Sequence, residues 1–197
     1  MPSKLALLGA SSVAVGAAGT SAYALYNNSQ NSKKLKDLFD VTKGRILLEV
    51  TGDKHDSVWE QILAEHGKSN HKISGVNSKA TLKDYCKKLG DSFNAKDLEA
   101  YSNWCSRNTL RTQITGSNKR WNDSLEDSAW EVGKDSYSKE TTDNFLITKD
   151  GGTQSIAKNA LTAKELREWC FNKSELPFIN VQDKDYLIAD KFCTVAQ

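Results

Sequence analysis

A mainly α-helical fold, either all-α or a helix-rich α+β fold with minor strands, is predicted by three features of this 197-residue sequence. Capping residues and glycines mark the ends of several short segments. Within those segments, apolar residues recur at spacings of three and four, the period of a helix with one buried face. A hydrophobic content of 38%, with five Trp and six Phe, suffices for one core. We therefore expect short capped helices in a single globular domain over residues 35–197.

The first 26 residues differ from the rest of the chain because they contain a long uncharged stretch. From Leu5 to Tyr26, the sequence LALLGASSVAVGAAGTSAYALY has no charged side chain. As a helix it would be about 33 Å long, close to the thickness of the hydrocarbon core of a bilayer. Lys4, the apolar middle and the small residues ending at Ala24 also match a signal peptide that is cleaved after Ala24. We expect an export signal or a retained membrane anchor over residues 1–26, with a buried helix of the folded domain as the alternative.

A polar tether is expected over residues 27–34, because NNSQNS and the lysines that follow it cannot bury apolar area. Lys33, Lys34 and Lys36 outnumber Lys4, and the more positive flank of a membrane span tends to stay in the cytoplasm. That orientation is the alternative to export. It would make the protein a membrane-tethered cytoplasmic scaffold.

Three helices are predicted in the first part of the domain. DSVWEQILAEHG should begin with a capping box formed by Ser57 and Glu60 and should end at Gly67. TLKDYCKKLG has the same apolar spacing and should end at Gly90. NAKDLEAYSNWCSRN should begin at Asn94, an amino acid that favours the helix N-cap.

Two more helices are predicted near the end of the chain. LTAKELREWCFN should begin with a capping box formed by Thr162 and Glu165. DYLIADKFC should form a short helix that ends the domain. The segment TQITGSNKR, residues 112–120, is predicted to be a connector.

Strand signals are weaker than helix signals. They come from three short apolar runs beside turn residues, which are RILLEV at 45–50, FLIT at 145–148 and FINV at 178–181. We expect these runs to form either a small sheet or extended connectors.

Two sequence matches predict a degenerate internal repeat. The matching segments are DSVWE at 56–60 with DSAWE at 127–131, and AKDL…WC at 95–105 with AKELREWC at 163–170. Their order along the chain is the same, so pseudo-repeats are expected over 45–111 and 120–197. The alternative is that capped tryptophan helices are simply common in a tryptophan-rich domain.

A family resemblance is carried by the same motifs. The order is a small-residue apolar N-terminus, a polar tether, SVWEQI, LKDYC, NWC, a second tryptophan segment and EWC. This plan resembles the large paralogous families of uncharacterised proteins of about this length in haemotropic mycoplasmas, and the likeness covers most of the chain. The resemblance implies a wall-less bacterium with one membrane and an exported or membrane-tethered body that faces the host. It carries no functional residues over to this chain.

The chain has four cysteines, which are Cys86, Cys105, Cys170 and Cys193. An even number in a body outside the cytoplasm permits two disulfides in three connectivities. Under the internal repeat, Cys86 would pair with Cys105 and Cys170 with Cys193, and each bond would join neighbouring helices. The alternative is that these residues are free thiols that pack in the core as small apolar side chains.

No metal ion, cofactor or catalytic residue is assigned. The sequence lacks a C-x-x-C pair, and His55, His66 and His71 are not spaced with the cysteines as in a zinc module. It also lacks a phosphate-binding glycine loop and a nucleophile elbow. A thiol nucleophile made from Cys86 with His66 or His71 is the remaining catalytic alternative. The core-like spacing of Cys86 argues against it, because a catalytic thiol needs access to solvent.

We expect a surface-displayed interaction protein that is not an enzyme. It would contact the membrane through its N-terminal segment and lie on the extracellular side, or be secreted if the segment is cleaved. Its expected partners are host molecules or sister surface proteins. Nucleic acid is not expected, because a formal net charge of +2 gives no electrostatic reason for it. Besides the cytoplasmic scaffold, the alternative is an enzyme or small-ligand-binding protein without a recognised motif.

Overall fold

The structure is a computed structural model that describes residues 33–40, 43–149 and 154–195. Residues 34–197 form one compact unit, and the described part contains eight α-helices and two small two-stranded sheets. The helix-rich fold class is therefore confirmed. The predicted export signal or anchor, the cleavage position after Ala24 and the tether up to residue 32 lie outside the described residues.

The helices and strands fall into two groups along the chain. In chain order the α-helices are α1 Leu35–Leu38, α2 Asp56–Lys68, α3 Lys79–Gly90, α4 Leu98–Cys105, α5 Leu110–Thr115, α6 Glu131–Ser138, α7 Ala163–Ser174 and α8 Lys184–Phe192. The strands are β1 Arg45–Leu47, β2 Ser106–Asn108, β3 Arg120–Trp121 and β4 Thr194–Val195. Short 3-10 helices at Ala95–Asp97 and Asp127–Trp130 lead directly into α4 and α6.

Each sheet joins the strand that precedes a group of three helices to the strand that follows the group. β1 and β2 are antiparallel, with Leu47 opposite Ser106. β3 and β4 pair in the same way, with Trp121 opposite Thr194. The two groups are therefore closed at their ends by equivalent strand pairs. We call residues 34–108 the first half and residues 109–195 the second half.

One backbone hydrogen bond beside each ladder is also shared by the two halves. The Leu48 N–H donates to the Cys105 carbonyl at 3.0 Å, and the Asn122 N–H donates to the Cys193 carbonyl at 2.8 Å. Each bond ties the residue after the first strand to the cysteine before the second strand. The strand pairs thus hold the last cysteine of each half in the same local setting.

The buried apolar side chains form two clusters, one in each half. The first cluster draws its buried residues from positions 35–105 and includes Trp59. The second draws them from positions 110–193 and includes Trp121, Trp130 and Trp169. These tryptophans are core residues, which is the more common role for tryptophan at helix-face spacing.

The N-terminal caps of α3 and α7 are alike. The side chains of Ser78 and Thr162 accept the backbone N–H of the third helical residue, and Thr81 and Glu165 bond back to the cap. In each helix, a buried leucine follows the cap by four positions and a cysteine follows it by eight. The capping box predicted for α7 is confirmed. The counterpart of AKELREWC is therefore residues 79–86 in α3, and its predicted match to AKDL…WC is wrong.

The predicted ends of α2 are wrong at both termini. The helix begins at Asp56 after His55, without a side-chain cap, so Ser57 and Glu60 form no capping box. Gly67 lies inside the helix and does not end it. The carboxylate of Asp56, the first residue of α2, binds two lysines of α3.

The strand and connector predictions are corrected in part. Residues 45–47 form β1. Residue 145 ends a 3-10 helix, and 146–148 and 178–181 form no ladder, as the alternative of extended connectors predicts. Phe178 bonds to Asn108 at the end of β2 and Ile147 bonds to Ile156 in a loop, and each contact forms only an isolated bridge. The predicted connector at 112–120 includes the end of α5 and the start of β3, because the side chain of Thr109 caps a helix at that point.

Gly133 lies where α6 approaches α8 and α7 most closely. A Cβ at this position would come within 2.8 Å of the Phe192 carbonyl oxygen and 2.9 Å of Leu166 Cδ2. We expect Gly133→Ala to lower the free energy of unfolding by about 1–3 kcal/mol, because α6 would have to move away from its neighbours. Urea denaturation measures this change.

Gly67→Ala is the matched control for that substitution. Gly67 is also helical, but open space surrounds the position that its Cβ would occupy. Alanine there should raise the free energy of unfolding by about 0.5–1 kcal/mol, because it favours the helix and restricts the unfolded chain. Equal losses at the two positions would contradict the close approach at Gly133.

Candidate functional site

All four cysteines are bonded in two disulfides. Cys86 of α3 is joined to Cys105 at the end of α4, with 5.4 Å between their Cα atoms. Cys170 of α7 is joined to Cys193 just after α8, with 5.7 Å between their Cα atoms. These are the pairs that the internal repeat predicts, and the alternative of free core thiols is wrong. Each half therefore contains one bond between two neighbouring helices.

The structure does not assemble the predicted thiol and imidazole. The Cys86 sulfur is already bonded, so it has no thiol. His66 is buried, and its Nε2 accepts the backbone N–H of Ile73 at 2.7 Å. Its ring also meets the ring of Trp104 edge-on, with 5.2 Å between centroids. His66 therefore holds the loop after α2, while His71 is exposed.

A buried side chain holds the corresponding loop of the second half. Tyr137 lies seven residues after Trp130, as His66 lies seven residues after Trp59. The Tyr137 hydroxyl accepts the backbone N–H of Ile147 at 3.2 Å and donates to the carbonyl of Ile156 at 2.6 Å. Different side chains thus perform the same structural task in the two halves. Sequence reasoning missed this correspondence, because histidine and tyrosine are not similar residues.

The tryptophans of the repeated DSVWE and DSAWE segments make matching hydrogen bonds. The Trp59 indole N–H donates to the carbonyl of Glu49 at 3.0 Å. The Trp130 indole N–H donates to the carbonyl of Ser124 at 2.9 Å. Each indole ties the loop after a strand to the following helix, so these tryptophans have a structural role and do not line a ligand groove.

In each half, a cation on α3 or α7 binds the aspartate that begins the repeated DSVWE or DSAWE segment. Lys83 Nζ lies 2.6 Å from Asp56 Oδ1, and Arg167 Nη1 lies 2.9 Å from Asp127 Oδ1. Lys83 and Arg167 each follow the buried leucine of α3 or α7. Hydrogen bonds from Lys79 and Lys83 lower the pKa of Asp56. The repeated charged groups therefore neutralise each other and do not form an open acid–base pair.

Glu140 is the most buried carboxylate among the described residues. It belongs to the second half and has no equivalent carboxylate in the first half. Its carboxylate accepts hydrogen bonds from the Lys191 ammonium and from the backbone N–H groups of Thr141 and Thr142. The Lys191 ammonium also lies 4.4 Å from the ring centroid of Phe145. The bond from Lys191, followed by those from the backbone, lowers the pKa of Glu140 to about 2. This arrangement ties α8 to the end of α6.

Acidification should therefore weaken the second half. The pKa of Glu140 is about 2 in the folded chain and near 4.5 when unperturbed. The stabilisation from its carboxylate is present above the unfolded pKa and is lost as the pH falls from about 4.5 to about 2. We expect the urea midpoint of the native chain to fall more steeply over this window than that of Glu140→Gln, which cannot titrate. Glu99→Gln, at an exposed site, is the control and should retain the native slope.

A shallow depression of about 210 Å³ lies beside β3 and β4 and is lined by Arg120, Trp121, Asn122, Asp123 and Val195. This volume is below the range of roughly 300–1,000 Å³ that is typical of small-molecule sites. Its lining does not provide a set of converging groups that would define a substrate. We assign it no ligand.

Several large apolar side chains are exposed on loops and at the start of α6. They are Phe93, Leu125, Val132, Leu176 and Val181. Phe93 lies in the loop between α3 and α4, and Val132 is the second residue of α6. The sequence analysis included Val181 in the apolar run 178–181 and did not single out the other four, because they lie outside the predicted apolar stripes. Of these, Phe93 and Val132 are the candidate binding residues of the body.

Metal-ligand clusters and membrane-spanning helices are both absent from the described part of the chain. Within it, no group of three or more histidine, cysteine, aspartate or glutamate side chains could hold a metal ion. No described helix is long and apolar enough to cross a membrane. Comparison of the chain with protein-family models, curated proteins and solved structures gives no match.

Proposed function

We propose that this chain is an exported or membrane-tethered protein whose body lies outside the cytoplasm and acts by binding another macromolecule. The observation that carries the proposal is that all four cysteines are bonded in two disulfides. Structural disulfides persist in oxidising compartments and are rare in the cytoplasm. Each bond closes a short loop between helices, as in other small domains that work outside the cell.

The predicted N-terminal segment supports the same location. An apolar stretch from Leu5 to Tyr26 would direct export or hold the body at the membrane. A surface-displayed body that faces the host is also what the resemblance to the mycoplasma families implies. The partners expected on this basis are host molecules or sister surface proteins.

Binding without catalysis is supported by the roles of the reactive side chains. The cysteines are bonded, His66 holds a loop, and Glu140 is paired with Lys191. The large apolar side chains that remain exposed lie on loops and on α6. Loops on a rigid scaffold commonly carry recognition, and the disulfides would keep such loops in place.

Protease treatment of intact source cells tests the location. An antibody follows the body, and a cytoplasmic protein serves as the control for leakage. Digestion of the body while the control survives is the expected result. Survival of the body until the membrane is opened would overturn the proposal and favour a cytoplasmic scaffold oriented by Lys33, Lys34 and Lys36.

Alkylation of the cysteines under denaturing conditions supplies an independent readout. Cells are quenched with acid, and free thiols are then labelled before and after reduction. We expect labelling only after reduction, because all four cysteines are disulfide-bonded. Four thiols that label without reduction would contradict an oxidising location.

A further inference from the structure

The correspondence between the two halves extends to their first helices. The Leu35 N–H at the start of α1 donates to the Ser92 carbonyl at 2.8 Å. The Leu110 N–H at the start of α5 donates to the Leu176 carbonyl at 2.8 Å. Ser92 and Leu176 each lie six residues after the cysteine of α3 or α7. The halves are therefore two copies of one arrangement, beginning at residues 34 and 109.

The second half contacts the first half through the loop between α7 and α8. Asn180 Nδ2 donates to Gln61 Oε1 on α2 at 3.2 Å. The Phe178 N–H donates to the Asn108 carbonyl at 2.9 Å, and Ile179 packs against the apolar cluster of the first half. One loop of the second half thus covers one face of the first half.

This contact is not reciprocal. Val132 corresponds to Gln61, because each lies two residues after the tryptophan of its half. A two-fold contact would place the loop between α3 and α4 on Val132, but Val132 is 83% exposed and Phe93 of that loop is 52% exposed. The halves therefore meet head to tail. A head-to-tail contact leaves one face and one loop unpaired at its two ends.

The unpaired face in the second half lacks the ion pair of its covered counterpart. In the first half, Arg107 of β2 and Glu65 of α2 form an ion pair at 2.5 Å, and Gln61 bonds to Glu65 at 2.9 Å. Counted from the tryptophan of each half, Gln61 and Glu65 correspond to Val132 and Ser136. In the strand register, Arg107 corresponds to Val195. The exposed Val132 and Ser136 and the half-buried Val195 replace the covered ion pair, and Arg120 lies opposite Val195 in the strand pair.

We propose that a second copy of this chain docks on this face. The segment at residues 92–96 of one molecule would cover Val132, Ser136 and Val195 of the next molecule. Residues 94–96 correspond to 178–180 by the offset that relates Ser92 to Leu176, and Phe93 beside them is exposed. The contact would continue between molecules the head-to-tail contact that joins the two halves within each molecule. It leaves a free face at one end and a free loop at the other, so further copies add in the same way. The inference does not depend on the side of the membrane on which the body lies.

Sedimentation velocity of the full chain in detergent micelles tests self-association over a range of concentrations. We expect concentration-dependent dimers and larger species. Phe93→Asp and Val132→Asp should each weaken association about tenfold or more, because each places a charge in an apolar contact. The N-terminal segment is the same in every variant, so association through that segment would not change.

Leu125→Asp is the matched control. Leu125 is 74% exposed. It corresponds to Gly52 of the first half, because Arg167 donates a hydrogen bond to the Leu125 carbonyl and Lys83 donates one to the Gly52 carbonyl. Open space surrounds Gly52 in the first half, so this position lies off the contact between the halves. The control should associate as the native chain does. A monomer at all concentrations, or association that neither Phe93→Asp nor Val132→Asp weakens, would overturn the proposal.

Cross-linking with a short bismaleimide tests the head-to-tail geometry. The native cysteines are protected as disulfides, so only an introduced cysteine reacts. Phe93→Cys mixed with Val132→Cys should give covalent dimers, whereas either variant alone and the mixture of Phe93→Cys with Leu125→Cys should give few. Efficient cross-linking of Phe93→Cys alone would indicate a two-fold contact and overturn the proposal. The cross-linking result does not depend on the location of the body, which protease treatment of cells tests. The self-association proposal and the proposed function can therefore fail independently.

Discussion

Reduction of the two disulfides is expected to lower the free energy of unfolding of the body by roughly 6 kcal/mol, about 3 kcal/mol for each bond. The bonds join residues 19 and 23 positions apart. In the chain-entropy model, closing loops of this length restricts the unfolded state by that amount. Natural domains are stable by only about 5–15 kcal/mol, so the reduced body should be largely unfolded or close to its midpoint at 37 °C.

Two paired variants separate the contributions of the bonds. Cys86→Ala with Cys105→Ala removes the bond of the first half, and Cys170→Ala with Cys193→Ala removes that of the second half. Each pair should lose about 3 kcal/mol in urea denaturation. Reductant should lower the free energy of unfolding of each paired variant by about a further 3 kcal/mol, because one disulfide remains. It should not affect the variant that lacks all four cysteines. A loss well below 1 kcal/mol for both pairs would contradict a stabilising role.

The helix caps that the sequence predicts correctly are local. The side chains of Thr162 and Glu165 and the backbone that they bind lie within one turn, so the sequence of that turn determines the geometry. The cap predicted at Ser57 is wrong, because α2 already begins at Asp56, whose carboxylate binds Lys79 and Lys83 of another helix. A local sequence pattern does not show which residues from distant parts of the chain come into contact.

The strands and the extent of the repeat were harder to predict for the same reason. β3 and β4 are two residues long, and so short a segment cannot show an alternating pattern. The letters of AKDL…WC and AKELREWC match, but the caps and cysteine spacing of α3 and α7 show that these segments are not equivalent. The true correspondence depends on caps, ion pairs and strand partners, which tolerate different amino acids.

The candidate binding residues, Phe93 and Val132, could not be predicted from the sequence. Val132 and Gln61 occupy corresponding positions, but only the fold shows that one is open to solvent and the other is covered by a loop. The cysteine pairs were predicted only under the internal repeat, because the sequence otherwise allows three connectivities. Exposure depends on what the rest of the chain covers, and it appears only when the two halves are compared in space.

Replacement of the repeated tryptophans should cause the largest losses among single substitutions. Trp59→Ala and Trp130→Ala are each expected to lower the free energy of unfolding by about 3–5 kcal/mol, because each leaves a large cavity in its cluster. Trp59→Phe and Trp130→Phe keep an aromatic ring but remove the indole N–H. They leave the carbonyls of Glu49 and Ser124 without that donor, which should cost about 1–3 kcal/mol beyond the loss of volume.

Trp121→Phe is the control that separates the hydrogen bond from the volume. Trp121 is also buried, but its indole N–H has no hydrogen-bond partner within the described residues. Phenylalanine there removes an unsatisfied buried donor, so part of the cost of the smaller ring should be offset. Urea denaturation of the three phenylalanine variants should therefore show the smallest loss at Trp121. An equal loss at all three positions would mean that the indole hydrogen bonds to Glu49 and Ser124 contribute nothing to stability, and that the tryptophan of each half acts through its volume alone.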